Sequence, residues 1–225
     1  MRTASRIELA ESQLRSALDL NPSNAEAPTL TVAVVPVFTR NFAVDFRILG
    51  TVEALAQLDL TAQGNQFRWE PTHSIEGLTR SGPSRALVVL GHSGVLRLSV
   101  ALQSAGEMGH PSFLPISIDY FARGIASGCG TIYTAAGLTA PVLLGIALRI
   151  PTQCLASYGD QPWEDPVLLN PFTKVYPSLV LESLTDRVDN QIRPICDLVH
   201  QSLGEPNSRA FNAEGNWTGW GNPRR

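Results

Sequence analysis

Lysine is almost missing from this chain: of its 17 basic residues only Lys174 is a lysine. Twenty acids against those 17 bases leave a formal net charge of −3. That excludes the basic footprint with which a protein grips a phosphate backbone, so no direct nucleic-acid binding is expected. The 16 arginines read instead as the mark of a GC-rich bacterial coding sequence. Cysteine is scarce too. Cys129, Cys154 and Cys196 are odd in number and far apart, with no zinc-ligand spacing, and His73, His92, His110 and His200 are as scattered. No metal site and no cofactor follow from them, and the expectation is three buried thiols in a reducing cytoplasm. A long apolar run is also lacking. The longest, around residues 135–147, is too short to span a bilayer and contains Gly137, Pro141 and Gly145. Glu8, Glu11 and Arg15 interrupt the N-terminus where a signal peptide would be apolar. A soluble cytoplasmic chain with no membrane contact is expected.

What is there begins with the stretch Arg85 to Leu102, RALVVLGHSGVLRLSVAL. A continuous apolar run at 86–90 and a period-two alternation at 95–102 predict a buried strand followed by a half-buried one. Between them, Gly91 and Gly94 offer the positive φ angles of a hairpin turn. The same Gly-His-Ser-Gly also resembles the nucleophile elbow of α/β-hydrolases. Such an elbow needs glycine two positions before and two after the serine, and opens a helix. Gly91 meets the first need, but Val95 stands where the second glycine belongs, and Val95 onward has the period of a strand. Ser93, Asp160 and His200 have the order Ser…Asp…His, an order any chain of this length offers by chance. The hairpin is the favoured reading.

Along the rest of the chain, Ile7, Ala10, Leu14, Ala17 and Leu18 mark one face of an amphipathic helix, stopped by Asn21-Pro22. Residues 29–38, TLTVAVVPVF, form the clearest strand, with Pro36 requiring an edge, a bulge or a frayed end. A short helix is predicted over 51–60, a strand around Phe67 and Trp69, and a loop over 77–84. From Ser117, a candidate N-cap, a stripe of period near 3.6 runs to Ala136 and predicts the main helix, with Asp119 suited to its N-terminal end. Gly124, Gly128 and Gly130 within it imply close approach of the helix backbone to the sheet. Residues 141–151 give another strand, 153–177 an irregular crossing, 179–184 a short strand, and 186–203 a second long helix that contains Pro194. Phe211, Trp217 and Trp220 predict that the segment from Glu205 docks onto the domain or a partner.

These elements predict an α+β fold: a mostly antiparallel sheet of about five strands with two long helices on one face, plus the N-terminal amphipathic helix. The domain limits are 1–24 for helix and linker, 25–204 for the domain and 205–225 for the tail.

Three segments together resemble a known family. The strand at 28–38, the hairpin at 85–102 and the helix-strand unit at 116–151, with its APVLLGIAL, are similar in order and spacing to one region of certain bacterial proteins. It is the region downstream of the Schlafen-type Alba DNA-binding domain in ATP-binding or helix-turn-helix proteins. That family's N-terminal half carries a substrate or nucleic-acid site and a glycine-rich strand motif, and neither is in this sequence. No site residue carries over. The resemblance implies a companion domain for assembly, sensing or partner contact.

Three functions are thus open. The first is a non-catalytic accessory or assembly domain that contacts a protein partner or itself through Ile7, Leu14, Leu18, Trp217 and Trp220. The second is a serine hydrolase using Ser93, Asp160 and His200. The third is a small-ligand module with a pocket lined by Trp69, Tyr120 and Tyr133.

Overall fold

A strand that is apolar at consecutive positions must be covered on both faces, and β1 (Thr29–Pro36) is such a strand. Leu30, Val32 and Val34 point to one side of the sheet, Ala33 and Val35 to the other, and all are buried. On one edge β1 pairs antiparallel with β5 (Leu96–Ala101), placing Val32 opposite Leu98. On the other it pairs with β7 (Val142–Ile150), placing Val32 opposite Ile146. The computed structural model describes residues 3–19, 27–37, 44–58, 60, 70–82, 86–102, 110–158, 165–184 and 188–219. Pro36 is the last residue of β1, so the missing N–H costs no central pairing, and the strand is interior rather than at an edge.

Beyond β5 the sheet continues through β4 (Leu87–Gly91), β3 (Gly77–Ser81) and β2 (Thr72–Ser74). Beyond β7 lie β10 (Phe172–Val175) and β11 (Leu179–Leu181), which pair with opposite ends of that strand. The result is an eight-stranded antiparallel sheet. A second sheet joins β6 (Ser112–Phe113), β8 (Cys154–Ala156) and β9 (Val167–Leu169), with the β6–β8 pair parallel. The α+β class and the mostly antiparallel sheet are as expected; a sheet of about five strands is too few. The extra strands are two to five residues long and too short to show a period. Residues 77–84, expected as loop, contain β3, whose Leu78 and Arg80 turn inward. The expected strand at Phe67 and Trp69 lies outside the described residues.

The hairpin at the centre of the sequence is present, with Leu90 opposite Leu96. Its turn differs in one respect from expectation. Only Gly94 has a positive φ, +83°, while Gly91 closes β4 as an ordinary strand residue. Gly94 N–H donates to Gly91 O (2.9 Å) and Gly91 N–H to Val95 O (2.8 Å). This is a turn followed by a single left-handed residue, for which one glycine suffices.

The main helix, α3 (Ile116–Ala135), lays Ile118, Ala122, Ile125, Cys129 and Ile132 into the core formed with the inner faces of β1, β5 and β7. Around it in the same core sit α2 (Leu49–Ala56) and α4 (Val188–Ser202). Pro115, not Ser117, occupies the N-cap of α3, and no side chain caps it. Gly128 and Gly130 do serve close approach, but to flanking segments rather than the sheet. A Cβ on Gly128 would collide with Leu58, and one on Gly130 would lie 2.5 Å from Leu184 O.

The sheet's other face is covered by α1 (Thr3–Leu18), whose Ala10, Leu14 and Leu18 pack on Ala33, Val35, Leu143 and Ala147. Gly145 makes room for it: a Cβ there would stand 2.7 Å from Leu18 and 3.0 Å from Leu14.

Two buried polar side chains pin these layers. Tyr133 Oη donates to Val34 O (3.0 Å) and Gly94 O (2.7 Å), tying the end of α3 to β1 and the hairpin turn. Arg80, 4% exposed, donates to Leu55 O (3.1 Å) and Leu58 O (2.7 Å) at the C-terminal end of α2. Removing a donor while leaving buried carbonyls in place forfeits their desolvation. Tyr133→Phe is therefore expected to lower unfolding free energy by about 1–2 kcal/mol, and Arg80→Met by about 3 kcal/mol, in urea titrations read by circular dichroism.

Candidate functional site

The polar residues that the fold gathers most tightly lie where α3 begins and α4 ends. Asp119, in the first turn of α3, and His200, in the last turn of α4, are both sealed from solvent, at 0% and 1% exposure. His200 Nε2 is 2.8 Å from Asp119 Oδ2. The placement suits the helix dipoles, with a carboxylate at an N-terminus and an imidazole at a C-terminus. Ser208 Oγ donates to the same carboxylate oxygen at 2.9 Å and also accepts from Ala210 N–H at 3.1 Å. Ser208 N–H in turn donates to Asp197 Oδ1 at 2.9 Å. Among the described residues, Asp119 Oδ1, His200 Nδ1 and the hydroxyl of buried Tyr158 have no hydrogen-bond partner.

Ser208 belongs to a segment, 205–219, that is strapped across both helices. Trp217 meets the rings of Tyr120 and Phe211 edge-on, with centroids 4.9 and 5.4 Å apart. The Arg123 guanidinium lies 5.0 Å from the Trp217 ring centre, and Arg193 donates to Ala213 O at 3.2 Å. Arg209, paired with Glu205, stacks over Tyr158 at 4.7 Å. The expected docking of the aromatic tail onto the domain is thus seen for Phe211 and Trp217, while Trp220 lies outside the described residues.

Chemically, serine, histidine and aspartate here stand in the wrong order for a nucleophilic triad. Such a triad needs the imidazole between hydroxyl and carboxylate, so that it can take the hydroxyl proton. In this cluster the carboxylate is in the middle and the serine hydroxyl points at it. All three groups are also buried. The arrangement fastens a segment; it does not present a nucleophile.

Of the candidate catalytic residues, Ser93 and His200 are not brought together. Ser93 is exposed on the hairpin turn, beside Gly94, whose carbonyl is held by Tyr133 near the C-terminal end of α3. His200 is held by Asp119 near its N-terminal end. Fourteen residues of helix separate the two anchors, roughly 21 Å along the axis. The segment that does lie against the turn, with Val44 N–H donating to His92 O (2.8 Å), carries Asp45. A side-chain hydrogen bond from Arg47 draws the Asp45 carboxyl down to about 2, so that acid is already engaged. Asp160 lies outside the described residues.

Of the proposed ligand-lining residues, the two that are described are engaged within the fold. Tyr133 spends its hydroxyl on two backbone carbonyls, Tyr120 stacks on Trp217, and Trp69 is outside the described residues. Of the proposed partner residues, Leu14 and Leu18 are buried against the chain's own sheet, while Ile7 is 38% exposed. Among the described residues no group of three or more His, Cys, Asp or Glu is placed to hold a metal ion, and no helix is long and apolar enough to cross a membrane.

Comparison of the chain with protein-family models, with curated proteins and with solved structures finds no match in any of the three.

All three cysteines are buried and free. Burial pushes the Cys129 thiol up to about 12 and the Cys154 thiol up to about 11. Burial, and next the charge of Asp119, raise Cys196 well above its ordinary range. A thiol raised this way stays protonated and unreactive at neutral and mildly alkaline pH. A chromogenic disulfide reagent at about pH 8, just below the ordinary thiol pKa, is expected to leave the native chain unmodified. It should titrate all three thiols once guanidinium unfolds the chain.

Proposed function

We propose that this chain is a non-catalytic domain that works by contacting a protein partner along the β10–β11 margin of the large sheet. The observation that carries the reading is the direction of Val175 and Val180. Val175 lies opposite Ala147 and Val180 opposite Leu143, so both point to the side of the sheet that α1 covers. They continue that apolar layer beyond the helix, yet they are 52% and 44% exposed.

The margin also defines what fits it. Arg149 projects on the same side, in register with Thr29 and Thr173, and makes no ion pair among the described residues. The outer edges of β10 and β11 carry no further strand among the described residues. An extended protein segment that adds to this edge, sets apolar side chains over Val175 and Val180, and brings a carboxylate to Arg149 satisfies all three features at once. Such a role agrees with the companion-domain function implied by the resemblance to the region downstream of the Schlafen-type Alba domain.

A photo-crosslinking amino acid at position 175 of the full chain, in the cells that make it, tests the reading. Position 75, the tip of the β2–β3 turn and 96% exposed, is the control. Adducts from position 175 but not 75 are expected. The adduct protein, once identified, should bind Val175→Glu and Arg149→Glu chains at least about tenfold more weakly, a loss of about 1.4 kcal/mol. Ile75→Asp should bind as the parent does. An adduct that proves to be a second copy would identify the partner as the chain itself. The reading fails if position 175 gives no adduct beyond control, or if the two margin substitutions leave affinity unchanged.

A further inference from the structure

We propose that the β10–β11 margin pairs with the same margin of a second copy of this chain, antiparallel and about a two-fold axis, so that two large sheets join into one. This rests on the reading of that margin as a contact surface and names its occupant.

Strands β10 and β11 together make one edge strand interrupted by a bulge. Val175 lies opposite Ala147 and Leu179 opposite Leu144, so the three residues 176–178 stand against the two at 145–146. Tyr176 N–H donates to Ile146 O (2.9 Å), which leaves the extra residue at Pro177-Ser178, both exposed. In an antiparallel strand alternate residues turn their N–H and C=O toward a given neighbour. Tyr176 turns toward β7, so Thr173 and Val175 turn outward. Leu144 shares the direction of Ile146, so its opposite, Leu179, turns inward and Val180 outward. Val175 and Val180 are five positions apart and would turn opposite ways in a regular strand. The bulge brings them into phase.

That phase makes the edge complementary to itself. When Val175 faces Val180 of the second copy, the antiparallel register sets Thr173 against Glu182 of that copy. A two-fold axis between Pro177 and Ser178 then repeats both pairs. The outward backbone groups of Thr173 and Val175 meet those of Glu182 and Val180, and Pro177, at the axis, has no N–H to leave unpaired. The valines, 52% and 44% exposed in the single chain, cover each other on the side of α1.

Charge completes the fit. Glu182 is exposed one residue past the end of β11 and follows the alternation of Val180 to the side of α1. Neither it nor Arg149 makes an ion pair among the described residues. In this register Glu182 of the second copy extends the row of Arg149 and Thr173, two strand spacings or about 10 Å from Arg149. An arginine and a glutamate reaching toward each other over a threonine span that gap, and symmetry makes the pair twice. The opposite edge of the sheet, β2, offers only Thr72, His73 and Ser74. Pairing through the valine edge alone closes at two copies instead of propagating.

Sedimentation of the full chain over about 1–100 μM, the range suited to a short edge contact, should show a monomer–dimer equilibrium. Arg149→Glu and Glu182→Arg should each weaken it about tenfold, since each puts two like-charged pairs in place of two opposite ones. Mixed one to one, these variants should form a heterodimer about as tight as the parent dimer, because each carboxylate again faces an arginine. The register has a second check, made possible by the burial of all three native thiols. Val175→Cys mixed with Val180→Cys should form a disulfide-linked dimer under mild oxidation. Neither alone should, as its two thiols then stand roughly 16 Å apart along the paired edge. This arm decides the matter if Arg149→Glu does not fold. A chain monomeric throughout the range, a dimer that neither charge reversal weakens, or a mixture no tighter than its components would overturn the self-pairing. A photo-adduct from position 175 with a different protein alone also removes the second copy, while the margin keeps its role as a contact surface; no adduct at all removes both.

Discussion

Strand β1 is hydrogen-bonded along both edges and apolar on both faces, and the rest of the architecture answers that demand. Alternation in β5 leaves Arg97 and Ser99 half-buried on one face, but β1 and its neighbour β7 have no such polar face. One side is met by α3, the longest helix. The other is met by α1, which reaches Val35 and Ala147 only because Gly145 has no side chain. Adding even one carbon there would push on Leu14 and Leu18, the two residues that seal the layer. The N-terminal helix is therefore part of the core.

A second constraint works at the opposite edge of α3. Its C-terminal end is held to the sheet by a neutral hydroxyl, Tyr133, donating to carbonyls. Its N-terminal end is held to α4 and the strap by a carboxylate, Asp119, accepting from an imidazole and a hydroxyl. Both ends use buried hydrogen bonds, yet they differ in kind. Tyr133 Oη carries its proton throughout the accessible pH range, since burial only raises it further. The helix is thus fastened through a hydroxyl at one end and through a carboxyl group at the other.

Much of the fold was legible because its main elements obey a single period over many residues. The run at 29–36, the hairpin about Gly94 and the stripe through Ile118, Phe121 and Ile125 each repeat a rule often enough to be seen. Strands of three residues such as β8 and β9 repeat nothing, and they exist because neighbouring chain offers them an edge. The candidate cluster was illegible for a related reason. Asp119 and His200 are 81 residues apart, and no spacing rule joins them. A weaker signal was present. Asp119 falls on the same helical line as Ala122, Ala126, Cys129 and Tyr133, and His200 lies one turn beyond Cys196. A titratable residue on the buried stripe of a helix needs a partner, and two such residues on two helices are each other's best candidates.

That reasoning also explains why the Gly-His-Ser-Gly turn misleads. Its residues are noticeable because they are adjacent, but adjacency in a hairpin turn places side chains at the surface with little around them. Ser93 is exposed there, and the acid nearby in the fold is spent on Arg47. Catalytic groups need neighbours from other parts of the chain to exclude water and orient them. In this molecule the place with such neighbours is the Asp119 cluster, where the carboxylate sits at the centre and the hydroxyl belongs to a strap. What the surrounding structure orients there is the attachment of a segment.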